Sequence, residues 1–194
     1  MKKTVVMAVA IGVFILGCSS KEVALKTYML NVPPVSKVST TRYGAKTIKV
    51  SFPQTLKEKI STKMYYSYSL NEQGTYLNSQ WSNNLAKLLQ GTFISTLMQS
   101  QVFRAVLPYA STATEDYRLE STIFDFSHHV RGTDSYAIVS MQFSLINTDT
   151  GRLIKSKRFS YKELTTTTDA KGYVEASTKA LARLNKALVV WVSR

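Results

Sequence analysis

Alternation of apolar and polar residues predicts most of the extended segments of this chain. In residues 46–52, Ile48, Val50 and Phe52 alternate with polar side chains, a period of two that is typical of a strand with one buried face. Similar or more apolar runs predict further strands at 27–30, 64–68, 102–107, 116–128, 135–147 and 152–163. The turn-forming residues 147–151 predict antiparallel pairing of the last two strands. One apolar face of the strand at 135–147 is formed by Ala137, Val139, Met141, Phe143 and Leu145.

Apolar residues at spacings of three and four predict two amphipathic helices. The first covers residues 78–99, with Asn78 as its N-cap, and the second covers residues 169–192 and opens at Asp169. Trp81 is predicted to pack in the core rather than to contact lipid or a ligand, because aromatic residues on such a stripe are usually buried. Gly91 lowers the stability of the first helix and therefore predicts a close packing contact. The apolar stripes are Trp81, Leu85, Leu88, Leu89, Phe93 and Leu97 in the first helix, and Tyr173, Ala180, Leu181, Leu184, Leu188 and Trp191 in the second.

The order of these elements predicts an α/β fold of the α+β type. We expect a two-layer sandwich in which both amphipathic helices cover one face of a mixed or antiparallel sheet of four to six strands. The sequence shows no internal repeat and no second-domain boundary. Residues 27–194 are therefore predicted to form a single domain.

The first twenty residues have the order of regions found in a secretory signal. Lys2 and Lys3 form a short basic start, and residues 4–17 are uncharged and mostly apolar. This run of about 14 residues is shorter than the roughly 20 residues that a membrane-spanning helix needs. Cys18, the only cysteine, follows the small residue Gly17 at the end of the run. The pattern predicts export across the inner membrane.

The end of this leader resembles the lipobox of bacterial lipoproteins. In those proteins the cysteine thiol is joined to diacylglycerol, the leader is removed just before the cysteine, and the new amino terminus is acylated, with palmitate as the expected acyl group. The resemblance implies a signal peptide at 1–17, a lipidated Cys18 and tether at 18–26, and a periplasmic domain at 27–194. This covalent lipid is expected without any other cofactor or metal. The alternative is a buried cysteine within an uncleaved leader.

Net charge narrows the choice of partners. The formal net charge is +13 at pH 7, so the chain favours encounters with anionic surfaces such as lipid headgroups, acidic proteins or nucleic acid. The export signal argues against nucleic acid. The alternative is that the basic residues occupy solvated loops and strand edges, where lysine also discourages edge-to-edge aggregation. The candidate contacts with an anionic surface or partner are Lys46, Lys49, Lys57, Lys59, Lys63, Lys155, Lys157 and Arg158.

No recognised catalytic motif points to an enzyme. His128 and His129 are adjacent, and neighbouring side chains of a strand point to opposite faces, so they are not predicted to bind one metal ion. Both are interpreted as surface or strand-end histidines. Zinc-ligand spacing, a phosphate-binding loop and a Gly-x-Ser-x-Gly elbow are missing from the sequence. We expect binding or assembly rather than catalysis, and an envelope hydrolase with an unrecognised site is the enzymatic alternative.

Several segments together resemble the ABC-type transport auxiliary lipoproteins, the family that includes the paraquat-inducible lipoprotein PqiC. The resemblance extends over nearly the whole chain after the leader. The segments are the lipobox at Cys18, residues 28–30 followed by prolines, the strand at 48–53, the tyrosine-rich segment at 64–68, Trp81 at the opening of a helix, the hairpin at 145–153 and Phe159.

This resemblance implies a role in lipid transport within the cell envelope. The expected protein is a non-enzymatic outer-membrane lipoprotein that faces the periplasm beside a phospholipid transporter built from an ATPase, a permease and mammalian-cell-entry (MCE) domain proteins. It would dock or receive an MCE-domain protein, with phospholipid as a further candidate ligand and no nucleic acid. Ser19, in place of the aspartate associated with inner-membrane retention, favours the outer membrane. The alternative is a lipoprotein that assists or plugs an outer-membrane β-barrel, similar to the lipopolysaccharide-assembly lipoproteins.

Overall fold

The computed structural model of the chain describes residues 23–39, 42–55, 61–69, 71–132 and 134–194. The predicted leader, Cys18, Lys57 and Lys59 lie outside these residues. Within the described ranges the chain forms nine strands and two helices. They are β1 Lys26–Tyr28, β2 Thr47–Val50, β3 Gln54–Thr55, β4 Lys63–Ser67, β5 Gln73–Trp81, α1 Leu85–Ser100, β6 Ala105–Pro108, β7 Tyr117–Arg131, β8 Asp134–Asn147, β9 Leu153–Leu164 and α2 Ala170–Ser193.

One mixed sheet contains all nine of these strands, and β7 lies at its centre. On one side of β7, β8 and β9 follow in antiparallel order. On the other side, β7 pairs in succession with β2, β3 and β4, which all run parallel to it. β6 extends the sheet beyond β2, whereas β5 and β1 extend it beyond β4. The sheet therefore has two short wings, β2–β6 and β4–β5–β1, at opposite ends of β7.

The mixed sheet agrees with the prediction, but the expected four to six strands are too few. The cause is the length of β7, which has 15 residues. A strand of this length spans roughly 50 Å, so three short strands fit one after another along a single edge. The sequence did not reveal β3, which has 2 residues, or β5, which is mostly polar and lacks a clear alternation.

The first helix begins later than predicted. Asn84, not Asn78, is its N-cap, and the Asn84 side chain accepts a hydrogen bond from the backbone N–H of Lys87 at 2.8 Å. Residues 78–81 complete β5 instead. The predicted boundary was wrong because Trp81 precedes Leu85 by four positions, so a strand residue continued the helical spacing by coincidence.

The prediction that Trp81 packs in the core is confirmed. Trp81 is 1% exposed, and its ring contacts the rings of Phe126 and Tyr173 edge-on, with centroids 6.0 and 5.7 Å away. Its position in β5 is set by pairing with Tyr28 of β1. Trp81 therefore joins the end of the sheet to the start of α2.

Both helices pack on the same face of the sheet. From α1, Phe93 contacts Phe143 of β8, with ring centroids 5.1 Å apart. From α2, Tyr173 contacts Phe126 of β7 at 6.5 Å. Phe126 is the cross-strand partner of Val139, which lies on the same face of β8 as Phe143 because side chains alternate along a strand. Neither helix in the described part of the chain is both long and apolar enough to cross a membrane.

The inward face of β8 forms the centre of the core, and the hairpin after β8 sets its register with β9. In this turn Asn147 Oδ1 accepts a hydrogen bond from the Thr150 N–H at 2.9 Å, and Gly151 has a φ of 67°, which glycine adopts without steric cost. The predicted apolar face and the predicted antiparallel hairpin are both confirmed. The fully buried residues of this face are Ala137, Val139, Met141, Phe143 and Leu145.

Gly91 does not mark a packing contact, so that prediction was wrong. Gly91 is exposed, and a Cβ atom placed on it would have no neighbour within 4 Å in the described part of the chain. The buried residues nearest to it on the stripe are Leu89 and Phe93. A residue two positions from each of them points to the opposite side of a helix, which is here the solvent side.

A polar side chain without a partner is buried in α2. Asn185 is fully buried, and neither its amide nitrogen nor its amide oxygen has a hydrogen-bond partner among the described residues. An unpaired buried amide destabilises the folded state, because the amide loses its hydrogen bonds to water and gains none in return.

Replacing Asn185 with Leu is expected to raise the free energy of unfolding by about 1–2 kcal/mol, because an apolar side chain of similar volume needs no partner. Urea unfolding followed by circular dichroism measures the change. Asn185→Ala is the control, since it removes the amide but leaves a cavity, and it should not stabilise the protein. A lower urea midpoint for Asn185→Leu than for the unchanged protein would contradict the expectation.

Candidate groove for an anionic partner

A basic groove of about 990 Å³ lies between β9 and the second half of α2. Among the described residues that line it, seven are Lys or Arg and none is Asp or Glu. Cations that converge on a concave surface without a lining acid create a positive potential, which attracts anionic groups. The seven residues are Arg42, Lys155, Lys157, Arg158, Arg183, Lys186 and Arg194.

Apolar and aromatic side chains form the floor of this groove. The ring of Phe159 in β9 contacts the ring of Trp191 in α2 edge-on, with centroids 6.2 Å apart. Tyr161 and Ala187 are partly buried beside them, and Val190 is 46% exposed although it is apolar. The groove therefore suits a partner that presents negative charge together with apolar side chains.

Two of the cations bind backbone carbonyl groups in the last turn of α2 and at its C-cap, Arg194. Lys155 Nζ donates hydrogen bonds to the backbone oxygens of Trp191 at 2.6 Å and Val192 at 3.2 Å, and Arg42 donates to the backbone oxygen of Arg194. These carbonyls have no partner within the helix and form the negative end of its dipole, so the cations stabilise this end. Burial, followed by the charge of Arg42, lowers the pKa of Lys155 from its ordinary value.

Aromatic rings and one acid hold further cations in position. The guanidinium of Arg183 lies 4.8 Å from the centroid of the Tyr161 ring and forms an ion pair with Glu163 at the rim of the groove. The guanidinium of Arg158 lies 4.0 Å from the centroid of the Phe124 ring. Rings stabilise cations through their negative faces without neutralising them, so the groove stays positive.

The strand beside the groove has a free edge. β9 is 12 residues long, and among the described strands it pairs only with β8. The outer edge of such a strand exposes N–H and C=O groups that can pair with an added strand, while its lysines discourage indiscriminate pairing. The groove thus combines positive charge, an apolar floor and a backbone template.

Three of the predicted contact residues come together in this groove, namely Lys155, Lys157 and Arg158. Lys155 and Lys157 point toward α2, because they are the cross-strand partners of the inward-facing Leu145 and Phe143. Arg158 is also a lining residue but points to the other face, where its Nε donates a hydrogen bond to Ser140 Oγ and its guanidinium lies over the Phe124 ring of β7. The run of basic residues in a predicted strand was sufficient to indicate them.

Two other predicted contact residues are held in ion pairs outside the groove. Lys46 Nζ lies 2.9 Å from Asp116, and Lys49 Nζ lies 2.7 Å from Glu115. Lys49 is 13% exposed at its side chain, so it is not a surface contact. The hydrogen bond from Lys46, together with bonds from the Thr47 backbone and side chain, lowers the pKa of Asp116 to about 2. Both lysines attach β2 to the start of β7.

Lys63 lies at the other end of the sheet from this pair. It is exposed at the start of β4, opposite Gln80 of β5. Since Tyr66 pairs with His128, Lys63 is level with about residue 125 of β7, roughly 30 Å from the level of Lys46. The predicted contacts of the first half of the chain therefore do not form one surface in the described part of the structure.

His128 is buried, and its interpretation as a surface or strand-end histidine was wrong. Its Nδ1 lies 2.6 Å from the hydroxyl oxygen of Tyr76, its Nε2 lies 2.6 Å from Ser135 Oγ, and its ring stacks on Tyr173 at 5.3 Å. Burial, reinforced by the nearby His129, lowers the pKa of His128 to about 4. The imidazole is therefore neutral at pH 7 and links β5, β7 and β8 by hydrogen bonds.

His129 faces the other side of the sheet, beside Ser127 and Asp125. Ser127 Oγ lies 2.9 Å from His129 Nε2, and Asp125 Oδ2 lies 3.3 Å from the same nitrogen. In a catalytic triad the serine and the acid contact different nitrogens of the imidazole, so this arrangement does not activate the serine. In the described ranges there is also no group of three or more His, Cys, Asp or Glu residues that could hold a metal ion.

Comparison with known protein families shows which family the chain belongs to. The family model described as "ABC-type transport auxiliary lipoprotein component" matches residues 28–189. The chain belongs to this family. The match includes β9 and most of α2, and the resemblance inferred from the sequence is confirmed. No curated protein sequence is significantly similar to the chain.

Solved structures share the fold of this auxiliary lipoprotein at low sequence identity. Protein XCC0632 from Xanthomonas campestris has a TM-score of 0.76 at 18% identity, covering 87% of this chain and 95% of that one. A crystal structure of an uncharacterized protein has a TM-score of 0.67 at 16% identity, covering 88% and 99%. The PelC dodecamer from Paraburkholderia phytofirmans has a TM-score of 0.50 at 13% identity, covering 78% and 93%. At such identities the likeness concerns the fold alone.

The sequence did not indicate the cations that the tertiary structure adds to the groove. Arg183 and Lys186 are three positions apart on the polar side of the predicted second helix, which signals a shared face but not the strand that this face meets. Arg42 precedes β2 and reaches the end of α2 across 152 positions of sequence. No local pattern links residues so distant from each other.

Proposed function

We propose that this auxiliary lipoprotein is a lipid-anchored, non-enzymatic subunit of a phospholipid transport system, and that it docks an MCE-domain protein of the transporter. It faces the periplasm from the outer membrane, as Ser19 after the lipidated Cys18 favours. The observation that carries the proposal is the groove between β9 and α2, whose lining combines Lys and Arg residues with an apolar floor.

The chemistry of the groove favours an acidic, extended segment of the partner. Such a segment can add to the free edge of β9 through backbone hydrogen bonds, as peptides do in β-strand addition. Its carboxylates would pair with the lysines and arginines of the walls, and its apolar side chains would pack on Phe159 and Trp191. Complementary charge increases the rate of encounter and selects against basic competitors.

The lipid anchor supports this docking role. One acyl chain binds a membrane only marginally, whereas the several chains of a bacterial lipoprotein hold the domain stably. Anchoring confines the groove to one membrane surface and raises its effective concentration for a partner that reaches across the periplasm.

Charge reversal in the groove is expected to weaken the complex. The lipidated full-length chain is cross-linked in its native envelope and purified, and the MCE-domain protein that accompanies it is quantified by mass spectrometry. Lys186→Glu should reduce that amount about tenfold, because a cation of the wall becomes a repelling anion. Lys179→Glu is the matched control, since Lys179 is an exposed lysine of the same helix outside the groove lining.

Equal recovery of the MCE-domain protein from both variants would show that the groove is not the contact. Recovery of an outer-membrane barrel protein in place of an MCE-domain protein would contradict the transport role and support the assembly alternative.

A further inference from the structure

A second surface lies at the opposite end of the fold, beside the point where the described chain begins. A cavity of about 450 Å³ opens between the β4–β5–β1 wing and the first turn of α2. Six of the aromatic and apolar residues that line it, which we name the tyrosine face, are Val23, Tyr28, Tyr66, Tyr68, Tyr76 and Leu77.

Several apolar side chains at this end are exposed to solvent. Leu77 is 90% exposed, Val23 is 64% exposed and Tyr68 is 55% exposed. Leu25 and Met29, on either side of β1, are 56% and 67% exposed. Grouped exposure of apolar side chains is unfavourable in water and marks a surface that contacts a partner or a lipid phase.

The tyrosines form a rigid cluster. The Tyr66 ring lies between the rings of Tyr68 and Tyr76, with centroids 5.0 and 5.2 Å away. The Tyr76 hydroxyl is held 2.6 Å from the Nδ1 atom of the buried His128. Tyr76 thus fixes the cluster to the core, whereas the exposed Tyr68 combines an apolar ring with a polar tip, which favours the boundary between headgroups and acyl chains.

One exposed lysine lines the cavity beside the tyrosine face. Lys26 of β1 is the cross-strand partner of Ser79 in β5, whereas Lys63 of β4 is the partner of the neighbouring Gln80 and therefore points to the opposite face of the wing. The acid that lines the cavity, Asp169, is the N-cap of α2 and accepts hydrogen bonds at the start of that helix. Lys26 is thus positioned to contact a lipid phosphate beside the tyrosines.

The position of Cys18 in the sequence identifies what covers this surface. Cys18 precedes Val23 by five positions, and five residues of fully extended chain span at most about 18 Å. A lipidated Cys18 therefore places the membrane next to the tyrosine face. The groove is remote from the tyrosine face, because α2 rises by about 30 Å between Ala170, which lines the cavity, and Val190, which lines the groove.

We infer that the tyrosine face lies against the headgroup region of the membrane that holds the anchor. This inference rests on the lipidation in the proposed function. The tyrosines lie at the interface, Val23 and Leu77 enter the acyl boundary, and Lys26 contacts a phosphate. The domain then stands with α2 pointing away from the bilayer, so the groove opens toward the periplasm beyond the reach of headgroups.

Fluorescence quenching in vesicles tests this orientation. The lipidated full-length protein is reconstituted in vesicles of phosphatidylethanolamine and phosphatidylglycerol that contain lipids with a nitroxide at the headgroup. Since lipidation consumes the thiol of the only cysteine, a Leu77→Cys variant has one free thiol for a fluorophore. Val190→Cys is the matched control, because Val190 is an exposed apolar residue at the groove end of α2. The nitroxide should quench the probe at position 77 several-fold more than the probe at position 190.

Equal quenching at the two positions, or stronger quenching at 190, would overturn the inference. A probe at position 77 that is shielded only as protein concentration rises would show a second copy on this face and would also overturn it. Tyr68→Cys provides an independent probe of the same surface. Intact mass of the same sample separates the two proposals: an unmodified Cys18 refutes the anchor, whereas a lipidated protein without quenching at 77 refutes only the orientation.

Discussion

Acidification from pH 7 to pH 4 is expected to lower the free energy of unfolding by about 3 kcal/mol through His128. Burial, with a smaller contribution from His129, lowers the pKa of His128 to about 4 in the folded protein, from an ordinary value of 6.5. Between these values the unfolded chain binds more protons than the folded one, so stability falls as the pH falls. The contribution of His128 to the free energy of unfolding is fully present above the pKa of the unfolded chain. Below the pKa of the folded protein, His128 causes no further loss of stability.

Urea unfolding at intervals between pH 7 and pH 4 measures this decline. His128→Gln retains groups that can hydrogen-bond to Tyr76 and Ser135 but does not titrate, so most of the decline should disappear, although the variant starts from a lower stability. His129→Gln is the control and should leave the decline in place. An unchanged slope in His128→Gln would contradict the assignment. Asp116 contributes little to the decline in this range, because its pKa is lowered from 3.8 to about 2 and most of its contribution is lost between these two values.

Replacing Cys18 with Ala is expected to abolish both lipidation and removal of the leader. Cleavage in bacterial lipoproteins follows modification of the cysteine, so the variant should retain residues 1–17 and receive no acyl chain. The unchanged protein should begin at Cys18 and contain diacylglycerol and an N-acyl chain. Intact mass spectrometry of the protein from its native envelope distinguishes the two products. The effect is all or none because the chain has a single cysteine.

Substitutions at Ser19 provide the controls for this experiment. Ser19→Ala should leave both lipidation and cleavage unchanged. Ser19→Asp should leave the lipid in place but move the protein from the outer-membrane to the inner-membrane fraction. An unmodified thiol with residues 1–17 still attached in the unchanged protein would remove the basis of the envelope role.

Helices and strands in which the apolar periodicity continues over many residues were predicted most accurately. The second helix was expected at 169–192 and is observed at Ala170–Ser193, because an apolar stripe and the N-cap Asp169 agree on its position. The strand expected at 135–147 differs from β8 by one residue for the same reason. β5 was missed because its strand conformation comes from pairing with β1 and β4 rather than from its own side chains.

Burial of polar residues was harder to predict than burial of apolar ones. His128 follows Phe126 by two positions in β7, so the period of two places both on the inward face. The sequence does not show, however, whether a polar side chain on that face has hydrogen-bond partners. Those partners, Tyr76 and Ser135, belong to two other strands. Lys49 was similarly assigned to the surface because its partner Glu115 is distant in sequence.

From its sequence alone, this protein's family, its two helices, its long strands and its candidate lipidation at Cys18 could be inferred, because each depends on residues close together in the chain. Local patterns suffice where propensity, periodicity or a short motif governs the outcome. The size of the sheet, the burial of His128 and the convergence of Arg42, Arg183 and Lys186 on the basic strand β9 were decided by the tertiary structure. They depend on contacts between residues far apart in sequence, where packing and charge act through space and leave no local signal.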